Sequence, residues 1–331
     1  MPRPPERTRE KIDDLFPHHS WVADRSVAVL LPCYNEAIAI GAVVQGFRDA
    51  LPNARIYVYD NNSTDGTLAE AAKAGAIVRC EPYQGKGNVV RRMLADIDAD
   101  IYVLADGDGT YDPTAAGGLI DMLVEENLDM IVGARQGGSE SAYRRGHRVG
   151  NRFFNRMVAE LFGPGFSDIL SGYRVLSRRF AKSFPVTSSG FEIETELSVH
   201  ALDLKIATRE VPLPYGERPQ GSVSKLRTFR DGWHILMTIA MLIKELQPLR
   251  FFGTIAALLA LVSVGLGLPL LQTFLATGMV PRMPTAILAA AIMQLAFLSL
   301  ACGLILDSLA RARREAKRMR YLDLQSVAQK D

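Results

Sequence analysis

The sequence predicts an α/β domain on a Rossmann-like, mostly parallel sheet, followed by an interfacial amphipathic helix and a two-helix transmembrane hairpin. Three observations predict it. Short apolar runs alternate with segments of helical period from Val27 to Ala134, polar clusters stand where the runs end, and two uncharged stretches, Phe251 to Val280 and Met283 to Leu306, come late in the chain. Alternation with short links argues for a parallel sheet covered on both faces. Each uncharged stretch is long enough for a hydrocarbon core, which takes roughly 20 apolar residues.

Val27 to Leu31 is an apolar run suited to a strand buried on both faces, with Pro32 as its stop. Glu36 to Leu51 repeats Ile40, Val43, Val44 and Phe47 at helical spacing, with Asn35 as candidate N-cap. A second strand spans Ile56 to Tyr59 and ends at Asp60; the polar turn Asn61-Asn-Ser-Thr-Asp-Gly-Thr67 leads into a helix from Leu68 to Ala74. Ala76 to Arg79 is the third strand, Gly85-Lys-Gly87 opens a helix that runs through Ile97, and Ile101 to Ala105 is the fourth strand. After another helix, Met130 to Ala134 makes the next strand.

The formal net charge of +2 over 331 residues says less than its distribution. Lys244 and Arg250 precede the first apolar stretch, while Arg311, Arg313, Arg314, Lys317, Arg318 and Arg320 follow the second. Only Arg282 lies between. The positive-inside tendency therefore puts the α/β domain and both termini on the cytoplasmic side of the plasma membrane, as a multi-pass protein. Anionic headgroups explain the basic tail at 311–331 more economically than nucleic acid does. The 3 cysteines, Cys33, Cys80 and Cys302, have no metal-ligand spacing and suit a reducing compartment. The polar segment at 1–25 lacks the apolar core of a cleaved signal.

Four polar clusters fall at strand carboxyl ends: Tyr34-Asn-Glu36, Asp60 to Asp65, Gly85 to Gly87, and Asp106-Gly-Asp108. Any one of them is ordinary turn chemistry. In a parallel sheet, however, all four share one edge, where open α/β sheets bind ligands. A nucleotide fits that edge: Asp60 can accept hydrogen bonds from a base, and Asp106 with Asp108 can hold a hard divalent cation whose remaining ligands are waters and a substrate diphosphate. Neither the dinucleotide Gly-x-Gly-x-x-Gly after the first strand nor a phosphate-loop motif is present.

Leu31-Pro-Cys-Tyr-Asn-Glu36, Asp60-Asn-Asn-Ser-Thr-Asp-Gly-Thr67, Gly85-Lys-Gly87 and Asp106-Gly-Asp108 resemble, in this order, the signatures of family 2 glycosyltransferases with the A-type fold. Within that family the chain is similar to the polyprenyl-phosphate glycosyltransferases, which include dolichyl-phosphate mannose synthases and bacterial undecaprenyl-phosphate glucosyltransferases. The resemblance runs from about Val27 to Lys225, and the tail layout matches the undecaprenyl-phosphate branch. It implies an A-type glycosyltransferase domain at 26–225, a juxtamembrane helix at 226–247 and two membrane helices within 250–310.

Carried over by motif, the resemblance implies that Pro32, Tyr34, Glu36, Asp60, Asn62 and Lys86 hold the nucleotide. Asp106 and Asp108 would hold Mg2+ or Mn2+ and the donor diphosphate. Where the family often has Gln as a further metal ligand, this chain has Thr110, leaving that position to water. Arg135 matches an arginine near the donor sugar or phosphates, the alternative being a surface arginine at a strand end. Ser167-Asp-Ile-Leu-Ser-Gly-Tyr-Arg174 would line the sugar pocket, with Asp168 orienting a hydroxyl or the acceptor, or else serving as a turn residue or N-cap. Gly190-Phe-Glu-Ile-Glu-Thr-Glu196 opens a helix with Ile193, Leu197 and Ala201 as its apolar stripe; Glu192 or Glu194 would face the site and Glu196 the solvent. Arg218-Pro-Gln-Gly-Ser-Val-Ser-Lys225 resembles the family's Arg-x-x-Gly-x-Ser-Lys loop with one extra residue, which leaves Ser222 and Ser224 as alternatives for its serine; Arg218, Ser224 and Lys225 would bind the acceptor phosphate, the alternative being a basic loop that meets anionic lipid.

Leu226 to Leu246 places Leu226, Phe229, Trp233, Leu236, Ala240, Ile243 and Leu246 at helical spacing beside Arg227, Arg230 and Lys244, a pattern for a helix lying in the membrane interface or packed on the sheet. The activity implied is transfer of a hexose from a UDP- or GDP-linked donor to a polyprenyl phosphate at a lipid bilayer. The resemblance also implies a homo-oligomer, tetramers occurring in the family. Two other readings remain open at this level: a processive polysaccharide synthase, whose Gln-x-x-Arg-Trp motif is missing here, and a membrane-tethered nucleotide-binding scaffold without turnover.

Overall fold

The computed structural model describes residues 25–136, 165–190, 192–216, 219, 237, 241 and 243–327. The chain divides into two compact units, Met1–Thr228 together with Lys317–Asp331, and Phe229–Ala316.

The first unit is organised on a 7-stranded sheet of order β3-β2-β1-β4-β6-β5-β7. In chain order its elements are β1 Val27–Cys33, α1 Ile40–Ala50, β2 Arg55–Asp60, α2 Thr67–Lys73, β3 Ile77–Cys80, α3 Lys86–Asp96, β4 Ile101–Leu104, α4 Ala115–Glu125, β5 Met130–Gln136, β6 Arg174–Ser177, α5 Arg178–Ser183, α6 Ile193–Leu204 and β7 Thr208–Pro214. Only β6 runs against its neighbours β4 and β5, so the sheet is mostly parallel as expected. Parallel strands need crossovers, and helices on the faces explain why β1 and β4 are buried along their whole length. Val29, Leu30, Leu31 and Val103 are all 0% exposed; full burial of such a side chain contributes about 1.5–3 kcal/mol. The α1 face of Ile40, Val43, Val44 and Phe47 joins the same core as α4 residues Leu119, Ile120 and Leu123.

Two boundary expectations are corrected. Pro32 does not stop β1, which continues to Cys33. Successive residues of a strand offer their backbone groups to alternate neighbours; Leu30 O accepts from Ala105 N, so Pro32 faces the same side, beyond the last β4 residue paired, Leu104. No ladder bond is demanded of the missing N–H. Asn35 is not an N-cap, because α1 begins at Ile40 after a turn in which Ala39 N and Ile40 N both donate to Glu36 O. Asn35 itself has φ 54.

The amino edge of the sheet is closed by the end of the chain. Val327 lies in the main core cluster, and its carbonyl accepts from Arg25 Nε at 3.2 Å. Tyr321 donates its phenol to the fully buried Asp129 at 2.6 Å, the Arg179 guanidinium lies 4.3 Å from the Tyr321 ring centroid, and Arg318 donates to Leu204 O at 3.0 Å. Arg318, one of the basic side chains of the tail, is therefore engaged with protein.

In the second unit, α7 Pro248–Thr277 and α8 Met283–Leu322 are long and apolar enough to cross a membrane. α8 continues beyond the apolar stretch into the first unit. Ser263 donates to Ala289 O at 2.7 Å and Ser299 to Phe252 O at 3.0 Å, so hydroxyls link the two helices. Of the expected juxtamembrane helix, residues 237, 241 and 243–246 are described and helical, and the rest lies outside the described residues.

Candidate active site

The carboxyl ends of β1, β2, β3 and β4 lie on one edge, and the loops leaving them are stitched together by side chains. Asn35 Oδ1 accepts from Thr64 N at 2.8 Å while Ser63 Oγ accepts from Asn35 N at 2.8 Å. Thr67 Oγ1 accepts from Glu36 N at 2.8 Å, and Asp65 Oδ2 accepts from Ala37 N at 3.2 Å. Asn61 reaches the third loop, donating to Glu81 O at 3.0 Å and Tyr83 O at 2.8 Å and accepting from Gly85 N at 2.6 Å. Asn62, at φ 64, donates to Pro82 O at 2.9 Å. The Asn-rich turn thus holds the rim in shape, and Asn62 is engaged by the neighbouring loop.

Asp60 is 2% exposed; its Oδ2 accepts from Ser63 N at 2.9 Å, and its Oδ1 is a buried oxygen with no partner among the described residues. A buried acceptor left unpaired is costly and uncommon in folded proteins, so this oxygen fits a ligand's N–H. Glu36 is 8% exposed, Tyr34 stands out at 38%, and Pro32 ends up in register with Tyr59 beside them.

Beyond β4, Asp106 and Asp108 stand one residue apart. Asp108 Oδ1 accepts from Thr110 N at 3.1 Å and Thr110 Oγ1 at 2.6 Å, so Thr110 serves as an orienting donor to the second aspartate. Asp106 Oδ1 is bonded to Lys86, whose ammonium also meets Glu194 Oε1. Burial works against the Lys86 charge, but the two carboxylates more than offset it and hold the ammonium well above its usual range. On its other side Asp106 faces Gly172, where a Cβ would lie 2.7 Å from Oδ2. The glycine of Ser171-Gly-Tyr-Arg174 therefore keeps space open against the carboxylate.

The two aspartates fit a hard cation. Among the described residues no three His, Cys, Asp or Glu side chains gather as a cage. Two carboxylates, with the Asp106 side chain 30% exposed, instead suit Mg2+ or Mn2+, which bind through one or two carboxylates and complete their shell with water and substrate phosphates.

Gly85-Lys-Gly87 contributes through packing as well as through Lys86. Gly85 has φ +130, and a Cβ there would overlap the Ser189 carbonyl, as one at Gly87 would overlap that of Ser188. Gly87 N donates to Gly190 O at 3.0 Å and Asn88 N to Ser189 O at 3.3 Å, so the first N–H groups of α3 are used by this crossing chain. Glu196 fixes that chain from below: its carboxylate accepts from Thr187 N at 2.8 Å, Ser188 N at 2.9 Å and Ser188 Oγ at 2.6 Å, as well as from Thr187 Oγ1. At 9% exposed it is buried rather than solvated, which corrects the sequence expectation. The helix it belongs to starts at Ile193. Glu194 is the acid that meets the site.

Arg135 and Asp168 meet each other in a bidentate pair, Nε–Oδ2 and Nη2–Oδ1 both at 2.7 Å, with Arg135 N also donating to Oδ2 at 3.2 Å. Burial alone would raise the Asp168 pKa, but these bonds more than offset it and hold the carboxyl below its ordinary range. Glu210 accepts from Ser167 N and Asp168 N, each at 2.8 Å, and fixes the segment to β7. Arg174 is buried completely and bonds Ser171 O, Ile169 O and Glu194 O, which makes it a framework residue; burial pushes its pKa down to about 10.

Sequence reasoning missed Tyr111 and Tyr215. Gly172 N donates to the Tyr111 hydroxyl at 2.8 Å, and the Tyr111 and Tyr215 rings are 5.4 Å apart. Gly216 N donates to Thr110 O at 2.8 Å, and a Cβ on Gly109 would lie 3.8 Å from Pro219. The chain leaving β7 therefore runs beside Asp108 on its way to residues 218–225. Tyr111 lies three residues after Asp108, the one signal that could have flagged it. Arg218, Ser224 and Lys225 lie outside the described residues.

Residues 28–184 match the family model described as glycosyl transferase family 2. Over 247 residues, 74% of this chain and 80% of the relative, the chain is 40% identical to glycosyltransferase AglJ of Haloferax volcanii. It is 30% identical to the dolichyl-phosphate hexose transferase of the same organism over 207 residues, 62% of this chain and 89% of the relative. Among solved structures, glucosyl-3-phosphoglycerate synthase from Mycobacterium tuberculosis, in complex with Mn2+, UDP and phosphoglyceric acid, shares the fold at a TM-score of 0.56 and 24% identity, covering 71% of this chain and 81% of that one.

Proposed function

This chain belongs to glycosyl transferase family 2, and from that premise we propose that it transfers a hexose from a UDP- or GDP-linked sugar to the phosphate of a polyprenyl phosphate, with inversion, at the cytoplasmic face of the membrane. The observation that carries the donor half is the shared edge: the buried Asp60 oxygen, without a partner among the described residues, and the carboxylates of Asp106 and Asp108 stand at the carboxyl ends of β2 and β4, the two strands that flank β1. Asp60, Glu36, Tyr34 and Pro32 hold the nucleoside; Asn62 shapes the loop around it. Asp106 and Asp108 hold Mg2+ or Mn2+, which when bound neutralises charge on the departing nucleoside diphosphate.

The acceptor reading is supported by a relative named as a dolichyl-phosphate hexose transferase and by the two apolar helices. The basic loop 218–225, next in the chain after Gly216 at the Asp108 loop, supplies Arg218, Ser224 and Lys225 for the lipid phosphate. The lipid phosphate oxygen attacks the anomeric carbon, and the bond to the nucleoside diphosphate breaks. A phosphate monoester has its second pKa near about 6 and is already largely anionic, so no side chain has to remove a proton. No histidine occurs between Val27 and Ala134. Rate enhancement is assigned to positioning and charge stabilisation, with Arg135 and Asp168 as a rigid pair at the sugar end.

Asp108→Asn tests the donor half. It should abolish transfer of labelled sugar while leaving thermal unfolding near that of the unaltered protein; undiminished turnover in a folded variant would refute the assignment.

A further inference from the structure

Glu194 is an acid without an assigned role. It lies in the first turn of α6, buried at 5% exposed. One carboxylate oxygen meets the Lys86 ammonium, and the other, Oε2, has no partner among the described residues. The same ammonium meets Asp106. Lys86 therefore sits between one carboxylate from the strand-end motif and one from a helix more than eighty residues later in the chain.

Lys86 is also held in place by backbone. Its flanking glycines pack against the carbonyls of Ser188 and Ser189, and Glu196 binds Thr187 and Ser188 of that segment. The backbone from which the Lys86 side chain reaches Asp106 is therefore fixed at the start of α3. A cation fixed on Asp106 would on its own cancel the charge that a metal needs from that residue.

We propose that Glu194 is the counter-ion of Lys86, a positioning residue that leaves Asp106 and Asp108 with the negative charge required to bind a divalent cation with the donor diphosphate. The inference rests on the reading of Asp106 and Asp108 as the cation site. Formally, Asp106, Asp108, Glu194 and Lys86 carry three negative charges and one positive charge, leaving two negative charges to match a divalent ion. Without the Glu194 charge only one remains, and the Lys86 ammonium is given wholly to Asp106. Lys86 then has two effects that oppose each other: it orients Asp106, and it repels the metal unless Glu194 compensates.

The test is Mn2+ binding by the full-length protein in detergent, followed by loss of the free-Mn2+ electron paramagnetic resonance signal with UDP and, in parallel, GDP present. Glu194→Gln should weaken Mn2+ binding by about 10- to 100-fold, the range for removing an outer-shell partner of a metal ligand. Glu194→Asp, which keeps the charge, should stay close to the wild type. The paired variant Lys86→Met with Glu194→Gln should recover most of the lost affinity, because it removes a positive charge together with its counter-ion. A role in folding alone predicts no such recovery. Wild-type affinity in Glu194→Gln, or a folded paired variant that binds no better than Glu194→Gln, would overturn the proposal. Should Glu194→Gln not fold, the paired variant decides by itself: wild-type-like binding supports the counter-ion role and absent binding overturns it. Asp108→Asn monitors the underlying reading separately, since wild-type Mn2+ binding in that variant would remove the cation site itself.

Discussion

Replacing Asp60 with Asn changes one buried oxygen into an N–H donor while keeping the shape of the side chain. In the folded protein Oδ2 already accepts from Ser63 N at 2.9 Å, and an asparagine oxygen can take over that bond. The amide nitrogen then occupies the position of Oδ1, which meets no donor among the described residues. Folding stability should change little. Binding of the nucleoside is different, because the imide N–H of uracil and the ring N–H of guanine would now face another donor. Loss of a hydrogen bond to a charged acceptor costs about 1.5–3 kcal/mol, which corresponds to roughly 10- to 150-fold in Kd. Isothermal titration of UDP and GDP with Mn2+ present, alongside thermal unfolding of both proteins, measures the two effects separately. A folded Asp60→Asn protein that binds either nucleotide as tightly as the wild type would refute the assignment of this oxygen to the base.

Two further outcomes concern the rest of the fold. His200 is 4% exposed between Phe180 and Phe184, and burial, with a smaller contribution from the Lys317 charge, pushes its pKa from 6.5 down to about 3. The unfolded chain binds the proton first, so stability falls as pH drops below 6.5 and continues to fall until about pH 3; between about pH 7 and about pH 5.5 the loss is about 1.2 kcal/mol. His200→Leu should remove that part of the pH dependence in urea unfolding, and an unchanged slope would show that another group is responsible. Tyr321→Phe deletes the bond to the buried Asp129, whose Oδ2 keeps Arg179 at 2.8 Å; a loss of about 1.5 kcal/mol, the low end for a charged acceptor, should lower the Tm of the first unit. An unchanged Tm would mean that this hydroxyl bond adds nothing to the unit's stability.

Much of this architecture could be read from the chain because two physical signals are strong in it. Strands buried on both faces must be continuous apolar runs, and β1 and β4 are; turns at strand ends must use Asn, Asp and Gly, and these mark the rim. The short antiparallel β6 gave no such signal, since it opens with Arg174, a residue whose composition suggests solvent and whose guanidinium is in fact fully enclosed by carbonyls and Ser198. Glu196 was misplaced for a related reason. Amphipathic reasoning assigns acids to the outer face of a helix, but the first turn of α6 is buried all round and its acid is satisfied by the backbone of residues 187–188. Asn35 precedes a helical period and looks like a cap, yet its left-handed backbone turns the side chain toward Thr64. Long-range pairings such as Lys86 with Glu194, or Tyr321 with Asp129, have no local pattern at all. They arise only when the sheet brings distant segments to one edge.

The central claim is that a sugar passes from a nucleotide to a lipid phosphate. It is tested most directly by incubating the purified protein with Mn2+, radiolabelled UDP- and GDP-hexoses and undecaprenyl phosphate, then partitioning the products between chloroform and water. Label in a chloroform-soluble species, formed only with the lipid phosphate and matched by released nucleoside diphosphate, is the result expected. Label in a polymer would identify a processive synthase, and intact donor with every hexose offered would contradict catalytic transfer altogether.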